Sequence, residues 1–354
     1  MIDKPSGYGF LLLASFLLVA CGSQKIAFVG SGSTDEVAAF NPDGTIEGKA
    51  TVPNVQEADR ALLLQDDGEI GYVPGAPGTI HAVDLTSSPP ALRGASATVS
   101  NVVNDMAQAS PILIVSAGRD TTVGGTDVLV SSVFTGPMQE ADALNLGQGS
   151  SASVDVCDDG STVLVAVRGN RAVHKLTIDS RGRLTDTGLS LRPTRPPADV
   201  QCAPGSQAGI VVGSVMGTAQ TFTIGGLNVV ETVDLAAGSD DASTGHSADF
   251  TSSGDAVFVV SSVGDATGNG YVERMAFNPS TGAIGSTTER TIAPVTHTTQ
   301  GIGLVGVGPD DQRVYVTEQI NDRVLVLDAT TLAQENVVSG AALTAPLAID
   351  VEGN

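Results

Sequence analysis

A repeat dominates the sequence and limits what the chain can fold into. In each copy, an apolar residue is followed four positions later by a turn residue, and a β-branched run opens four positions after that. The clearest copies are LQDDGEIGYV, VCDDGSTVLV, FTSSGDAVFV and VGPDDQRVYV. The turn positions of the six copies are Gly68, Ser110, Gly160, Ser206, Gly254 and Asp311. This spacing predicts a strand, a tight turn and a second strand in every copy.

Further strands follow these predicted hairpins. Segments 78–88, 170–179 and 321–331 alternate between apolar and polar residues, as half-buried strands do. Successive turn positions lie 42 to 57 residues apart, which leaves room for a fourth strand in each copy. Four short strands in a period of this length are typical of one blade of a β-propeller.

The two ends of the chain complete each other. The C-terminal residues IDVEGN read as the start of another copy, with Ile349 at the apolar position and Gly353 at the turn position, but no second strand follows. Residues 25–47 begin on a second strand that has no first strand before it. We therefore predict an all-β, seven-bladed β-propeller with four-stranded blades. The C-terminal strand would join the N-terminal blade, which closes the ring and removes an open sheet edge.

The repeats resemble those of a known family. DDQRVYVTEQINDRVLVLDATT at residues 310–331 is similar to the repeat of YVTN-type, lactonase-like seven-bladed β-propellers, and segments 68–85 and 250–262 resemble it more weakly. The resemblance covers most of residues 25–354. These motifs are structural, so they imply a fold and leave the activity open, because the same fold hosts enzymes, binding modules and scaffolds.

The N-terminus has the pattern of an export signal. The run FLLLASFLLVA at residues 10–20 is short for a membrane span and typical of a signal-peptide core. It ends in LVAC, which resembles the lipobox of bacterial lipoproteins, whose cysteine is lipidated and becomes the mature N-terminus. We predict a signal peptide at residues 1–20, a lipidated Cys21 with a short tether at residues 21–24, and one propeller at residues 25–354. The alternative is an ordinary secretory signal, and either one exports the protein.

This resemblance implies a lipid-anchored protein of the bacterial cell envelope that faces the periplasm or the surface. Ser23, rather than Asp, favours the outer membrane if the host is Gram-negative. Outside the cytoplasm disulfides persist, so Cys157 and Cys202 on consecutive first strands are a possible pair. Stacked sheets lie about 10 Å apart, whereas bridged Cα atoms lie within about 7 Å. The sequence therefore allows either a disulfide between Cys157 and Cys202 or two free cysteines.

The negative charge of the chain and the motifs that it lacks argue against several classes of partner and cofactor. The chain has 39 acidic and 17 basic residues, with a formal net charge of −22. Such a chain repels phosphate backbones, so we predict no nucleic-acid partner. HExxH, CxxC, Walker and GxSxG motifs are absent, and we predict no cofactor and no metal. We expect a monomer that contacts the membrane only through its lipid and binds an unidentified protein or small molecule in the propeller funnel.

Four side chains are candidates for a site in that funnel. The family resemblance implies that the first strand of each blade lines the central channel. Arg60 and His246 each lie eight residues before a turn position, and Arg195 and His297 precede other copies. A neutral imidazole there could act as a base, and the cations could bind a carboxylate. The alternative for each is a structural or solvated position on the rim.

Two functions from different classes fit these observations. A complete structural repeat without a recognised catalytic constellation favours a non-catalytic binding or scaffold module at the cell envelope. The alternative is a lactonase-like hydrolase that uses the funnel, with His246 and Arg60 as participants. A redox accessory is disfavoured because the chain has no tryptophan and no cofactor motif. No catalytic residue is assigned from the sequence.

Overall fold

The computed structural model describes residues 26–29, 35–41, 44–53, 62–65, 68–75, 79–98, 103–109, 112–117, 126–133, 139–148, 151–238, 243–263, 269–286, 290–296, 303–340, 343, 345–346 and 349–351. Almost all of their regular structure is β-strand, with a 3₁₀ helix at Gln319–Asn321. Within these residues, no helix is long and apolar enough to cross a membrane.

The strands form seven four-stranded antiparallel sheets. Sheet 1 contains β1 (Ile26–Val29), β2 (Glu36–Phe40), β3 (Ile46–Thr51) and β28 (Ile349–Val351). Sheet 2 contains β4 (Leu63–Leu64), β5 (Ile70–Gly75), β6 (Thr79–Asp84) and β7 (Ala91–Thr98). Sheet 3 contains β8 (Val103–Ala109), β9 (Ile112–Ala117), β10 (Thr126–Val133) and β11 (Gln139–Gln148).

The remaining four sheets follow in the same way along the chain. Sheet 4 contains β12 (Ser151–Val156), β13 (Thr162–Val167), β14 (Ala172–Ile178) and β15 (Leu184–Leu191). Sheet 5 contains β16 (Pro197–Cys202), β17 (Ala208–Gly213), β18 (Thr218–Thr223) and β19 (Asn228–Asp234). Sheet 6 contains β20 (Ser243–Phe250), β21 (Ala256–Val263), β22 (Asn269–Ala276) and β23 (Thr291–Thr296). Sheet 7 contains β24 (Val305–Val307), β25 (Arg313–Glu318), β26 (Arg323–Asp328) and β27 (Gln334–Ser339).

The hairpin turns lie where the sequence predicts them. The left-handed backbone that a tight turn requires is present at five of the six turn positions, with φ between 54° and 69° at Gly68, Gly160, Ser206, Gly254 and Asp311. In each turn the amide of this residue donates to the carbonyl three positions earlier. Glycine adopts this conformation without steric cost, which explains its recurrence here. Ser110 lies outside the described residues.

The sheets contact one another in a cyclic order. Each innermost strand contacts the innermost strand of the next sheet, and β28 contacts both β24 and β4. Buried apolar clusters fill the spaces between neighbouring sheets; one joins Ile114 of sheet 3 to Val165 of sheet 4, and another joins Ile210 of sheet 5 to Val259 of sheet 6. The chain is thus an all-β propeller, as predicted.

The two ends of the chain meet in sheet 1, as the repeat predicts. Strand β28 pairs antiparallel with β1, so that Ile26 lies opposite Val351. The predicted alignment of the last copy is wrong by two residues. Asp350 accepts the same hydrogen bond as Asp155 and Asp249, which lie five positions before their turns, whereas the prediction places Asp350 three positions before its turn. Val351, rather than Ile349, therefore holds the apolar position. A slip of two residues keeps the same strand face toward the core.

Candidate functional site

Five aspartates lie on the innermost strands of five sheets. They are Asp105 on β8, Asp155 on β12, Asp199 on β16, Asp249 on β20 and Asp350 on β28. We call them the aspartate ring. Each carboxylate accepts a hydrogen bond from the backbone amide of the next residue and another from the neighbouring sheet. The ring therefore links each of these strands to its neighbour.

The need for these bonds follows from the position of the strands. The inner edge of an innermost strand has no strand beside it, so its amide groups require other acceptors. The Oδ2 atoms of Asp155, Asp249 and Asp350 accept from Cys202, Val307 and Leu64, each at 2.6 Å. Those of Asp105 and Asp199 accept from Val154 and Ala248 at 2.9 and 2.8 Å.

The aspartate ring lines a cavity of about 200 Å³ between the innermost strands. Gln108, Gln201 and Ser247 also line it. The amide nitrogen and oxygen of Gln108 are buried and have no hydrogen-bond partner in the described part of the chain. The lining residues include five carboxylates and, within the described residues, no lysine, arginine or histidine. The cavity is therefore acidic.

Two of these carboxyl groups have strongly raised pKa values. Burial raises the pKa of Asp155 to about 7, and the nearby Asp199 and Asp158 carboxylates add to this effect. Burial likewise raises the pKa of Asp249 to about 8, with further contributions from Asp350 and Asp155. The backbone amides bonded to both groups act in the opposite direction. Carboxyl groups that titrate near neutral pH in a cavity suit general acid–base catalysis.

The predicted funnel residues lie apart from this cavity or outside the described residues. His246 is buried at a bulge in β20, and its Nε2 lies 2.6 Å from Oγ of Ser262 on the same sheet. Arg195 is half-buried just before β16, with its Cβ close to Gly213. Neither residue lines the cavity. Arg60, His297 and Cys21 lie outside the described residues.

A disulfide joins Cys157 and Cys202, with a Cα–Cα distance of 5.3 Å. Cys202 ends β16 and Cys157 follows β12, so the bond connects the innermost strands of sheets 4 and 5. The spacing is shorter than the usual distance between stacked sheets because the sheets converge toward the ring axis. Of the two states that the sequence leaves open, the structure has the bridged one.

Sequence reasoning missed the aspartate ring, although the repeat contains a signal for it. An aspartate precedes an apolar residue in NDM, VDV, ADV, ADF and IDV, which end at residues 106, 156, 200, 250 and 351. Every one of these segments lies on an innermost strand. A repeated polar residue beside a core position would have indicated an inter-sheet contact.

No protein-family model and no curated protein sequence matches the chain. Solved structures do match. A functionally unknown protein from Desulfotomaculum acetoxidans has a TM-score of 0.76 at 12% identity, and the match covers 92% of this chain and 98% of that one. A proposed 6-phosphogluconolactonase from Bacteroides fragilis has a TM-score of 0.73 at 13% identity, covering 94% and 98%. The periplasmic gluconolactonase PpgL from Pseudomonas aeruginosa has a TM-score of 0.70 at 14% identity, covering 92% and 98%.

These similarities extend over nearly the whole chain, but identities of 12 to 14% establish the fold alone. The fold and the cavity together define the class of the protein. It is a β-propeller with an acidic cavity between its innermost strands.

Proposed function

We propose that the seven sheets are the seven blades of one closed ring and that the cavity is the active site of a lactonase-like hydrolase. The cyclic contacts of the innermost strands support the blade count. The observation that carries the function is the placement of Asp155 and Asp249 in one cavity, with pKa values of about 7 and 8. Two structural neighbours that bear lactonase names support the same reading.

Lactone hydrolysis needs one group that accepts a proton and one that donates a proton. A water molecule adds to the lactone carbonyl carbon, the ring C–O bond breaks, and a hydroxy acid forms. Asp155, the more acidic of the two, would take the proton of the attacking water as its carboxylate. Asp249 would give its proton to the leaving ring oxygen. Two carboxyl groups whose surroundings separate their pKa values can divide these roles.

The charge of the cavity selects the class of substrate. Carboxylates dominate its described lining, so a phosphate-bearing ligand would meet repulsion of like charges. We therefore propose that the substrate is an uncharged lactone. Arg60, Arg195 and His297 remain candidates for contacts at the mouth of the channel.

The test compares matched variants on an uncharged sugar lactone and its phosphorylated form. We expect the wild-type protein to prefer the uncharged lactone. Asp155→Asn and Asp249→Asn keep the side-chain shape and should each lower kcat/KM by about 10²-fold or more. His246→Gln tests the predicted funnel histidine. If that variant loses activity while both aspartate variants retain it, the reaction takes place at the mouth of the channel and the proposed roles of the aspartates are wrong.

A non-catalytic binding or scaffold module is the second candidate. One observation favours it: both carboxylate oxygens of Asp155 already accept backbone hydrogen bonds, which a purely structural role would explain. Wild-type protein that hydrolyses neither lactone, yet unfolds cooperatively and is therefore correctly folded, would support this candidate.

We also propose that the protein is exported and anchored in the bacterial cell envelope through a lipid on Cys21. The disulfide between Cys157 and Cys202 supports export, because such bonds persist in oxidising compartments. The protein would be a monomer that contacts the membrane only through its lipid and binds no nucleic acid. Cys21→Ser should move it from the membrane fraction to the soluble fraction. An unchanged membrane fraction would contradict lipidation.

A further inference from the structure

The strand directions place the start of β1 at a defined end of the ring. Ile26 lies opposite Val351, the last residue of β28. Beside it, Asp350 bonds the amide of Leu64, which lies just before the Gly68 turn. β1 therefore begins at the end of the ring that carries the hairpin turns. We call this end the turn face, and the opposite end, where the innermost strands begin, the approach face.

The turn positions of different sheets lie side by side on the turn face. Asp158 accepts a hydrogen bond from the amide of Gly205 at 2.7 Å, which joins the turns of sheets 4 and 5. Asp311 accepts from the amide and the hydroxyl of Ser252 at 2.8 and 2.5 Å, which joins the turns of sheets 6 and 7. The innermost strands of these sheets therefore run in the same direction along the ring axis.

The covalent reach from Cys21 to Ile26 is short. Five residue steps of at most about 3.6 Å each span about 18 Å. To place the approach face on a bilayer, the tether would have to pass β2 and β3, about 10 Å outward, and then run the length of a six-residue strand, about 20 Å. The required path of about 30 Å exceeds the reach, so a lipid on Cys21 cannot present the approach face to the membrane.

We propose that the lipid on Cys21 holds the turn face toward the membrane surface and the approach face away from it. This inference rests on the lipid anchor proposed above. It identifies the turn face as the interaction surface and a lipid bilayer as its partner. The approach face, where the innermost strands begin, then lies toward the aqueous compartment.

The charge of the turn face determines how closely it approaches the bilayer. Asp158, Asp159 and Asp310 are exposed on it. These carboxylates are repelled by anionic lipid headgroups over a screening length of about 8 Å at physiological ionic strength. The reach of about 18 Å is more than twice that length. The turn face should therefore lie close to the membrane without inserting into it.

The absence of native tryptophan allows a direct test, because one introduced tryptophan is the only one in the chain. Gln312→Trp places it in the exposed Asp311 turn on the turn face. Ile320→Trp places it in the 3₁₀ helix at the opposite end of the same sheet, where Ile320 is 44% exposed. Each full-length lipidated variant is purified from membranes and reconstituted into phospholipid vesicles that carry spin-labelled headgroups.

We expect the spin label to quench the tryptophan of Gln312→Trp several-fold more than that of Ile320→Trp. Equal quenching, or stronger quenching of Ile320→Trp, would overturn the orientation. Vesicle flotation separates this failure from that of the anchor. A lipidated protein that floats with the vesicles but shows the wrong quenching pattern refutes the orientation alone. A wild-type protein that does not float, or a Cys21→Ser protein that floats equally well, refutes the anchor and the orientation with it.

Discussion

Asp155 Oδ2 accepts a hydrogen bond from the amide of Cys202 at 2.6 Å, beside the disulfide that Cys202 forms with Cys157. A covalent bond and a side-chain hydrogen bond thus connect the same two innermost strands, β12 and β16. The disulfide holds these strands close together, and the carboxylate satisfies an amide that no strand reaches. Sheets 4 and 5 are therefore joined at the cavity by a disulfide as well as by a hydrogen bond.

Removing the disulfide should destabilise the ring. Its partners are 45 residues apart, and a loop of this length corresponds to about 4 kcal/mol of unfolded-chain entropy. The Cys157→Ala and Cys202→Ala double variant should lose stability up to this amount, measured by denaturant unfolding. Dithiothreitol should lower the stability of the wild-type protein similarly and leave the double variant unchanged. A wild-type protein insensitive to the reductant would contradict a structural role for this bond.

Replacing Asp350 should lower the stability of the whole protein, because its carboxylate bonds strands of sheets 1 and 2 where the proposed ring closes. Asp350→Ala leaves the amides of Leu64 and Val351 without this acceptor, and hydrogen bonds to charged groups contribute about 1.5 to 3 kcal/mol each. We expect the unfolding midpoint of the whole protein to fall, and deletion of residues 345–354 to lower it further. Asp328→Ala is the control, because the hydrogen bonds that the Asp328 carboxylate makes to described residues stay within its own turn, at Thr330 and Thr331. A deletion variant with unchanged unfolding would contradict the proposed closed ring.

The sequence predicts the local features of the fold well because they have local causes. Gly254 and Asp311 could be identified as turn residues because a tight turn requires a left-handed residue between two apolar runs. The predicted third strands at 78–88, 170–179 and 321–331 contain β6, β14 and β26. β6 and β14 have partly buried or exposed positions between their buried ones, whereas β26 is buried on both faces, because Val324 and Val326 pack in one core cluster and Leu325 and Leu327 in another.

The cavity could not be predicted in the same way, because its residues come from different sheets. Asp155 lies five positions before its turn, whereas Asp199 lies seven positions before the turn at Ser206. The register shift before Asp199 lies at the same distance from its turn as the shifts in β12 and β20, so Asp199 holds the strand position of Ser153 and Ser247. Asp199 accepts from the neighbouring sheet as the hydroxyls of Ser153 and Ser247 do, so the aspartates come from two positions of the repeat and still line one cavity.

A buried ion pair within sheet 6, whose two side chains also bond to the backbone at the end of β19 in sheet 5, should be costly to break. Glu273 is fully buried and accepts a hydrogen bond from the amide of Ala236 at 2.8 Å, and Arg290 Nη1 lies 3.6 Å from its Oε2. Arg290 Nη1 also donates to the carbonyl of Asp234. Arg290→Ala leaves the carboxylate buried without its cation, which typically costs about 3 to 5 kcal/mol.

A double-mutant cycle measures this interaction. Glu273→Gln removes the charge, so adding Arg290→Ala to that variant should cost less than Arg290→Ala alone, as measured by urea unfolding. Arg313→Ala is a comparison on the surface, because its partner Glu335 is exposed and such pairs contribute about 0 to 1 kcal/mol. If Arg290→Ala and Arg313→Ala lower the free energy of unfolding by the same amount, the buried Glu273 carboxylate is not stabilised by Arg290.

The aspartate ring should make the protein less stable as pH rises through neutrality. Asp155 and Asp249, with pKa values of about 7 and 8, hold protons that the unfolded chain releases near pH 4. Folding therefore takes up protons between about pH 4 and pH 8, and the free energy of unfolding falls as pH rises in that window. Burial raises the pKa of Glu273 in the same direction. Burial lowers the pKa of His81 and His174, which opposes the trend only below about pH 6.5.

We therefore expect Tm to rise as pH is lowered from 8.5 to 6.5. Asp249→Asn cannot ionise, so its Tm should vary less with pH over this range. Asp328→Asn is the matched control, because the hydrogen bonds from Thr331 lower the pKa of Asp328, and the stability that this provides is lost only below about pH 4. Its slope between pH 6.5 and 8.5 should equal that of the wild-type protein. A wild-type Tm that stays constant or rises between pH 6.5 and 8.5 would mean that the carboxyl groups of the aspartate ring are already ionised in the folded protein. The acid–base roles proposed for Asp155 and Asp249 would then lose their physical basis.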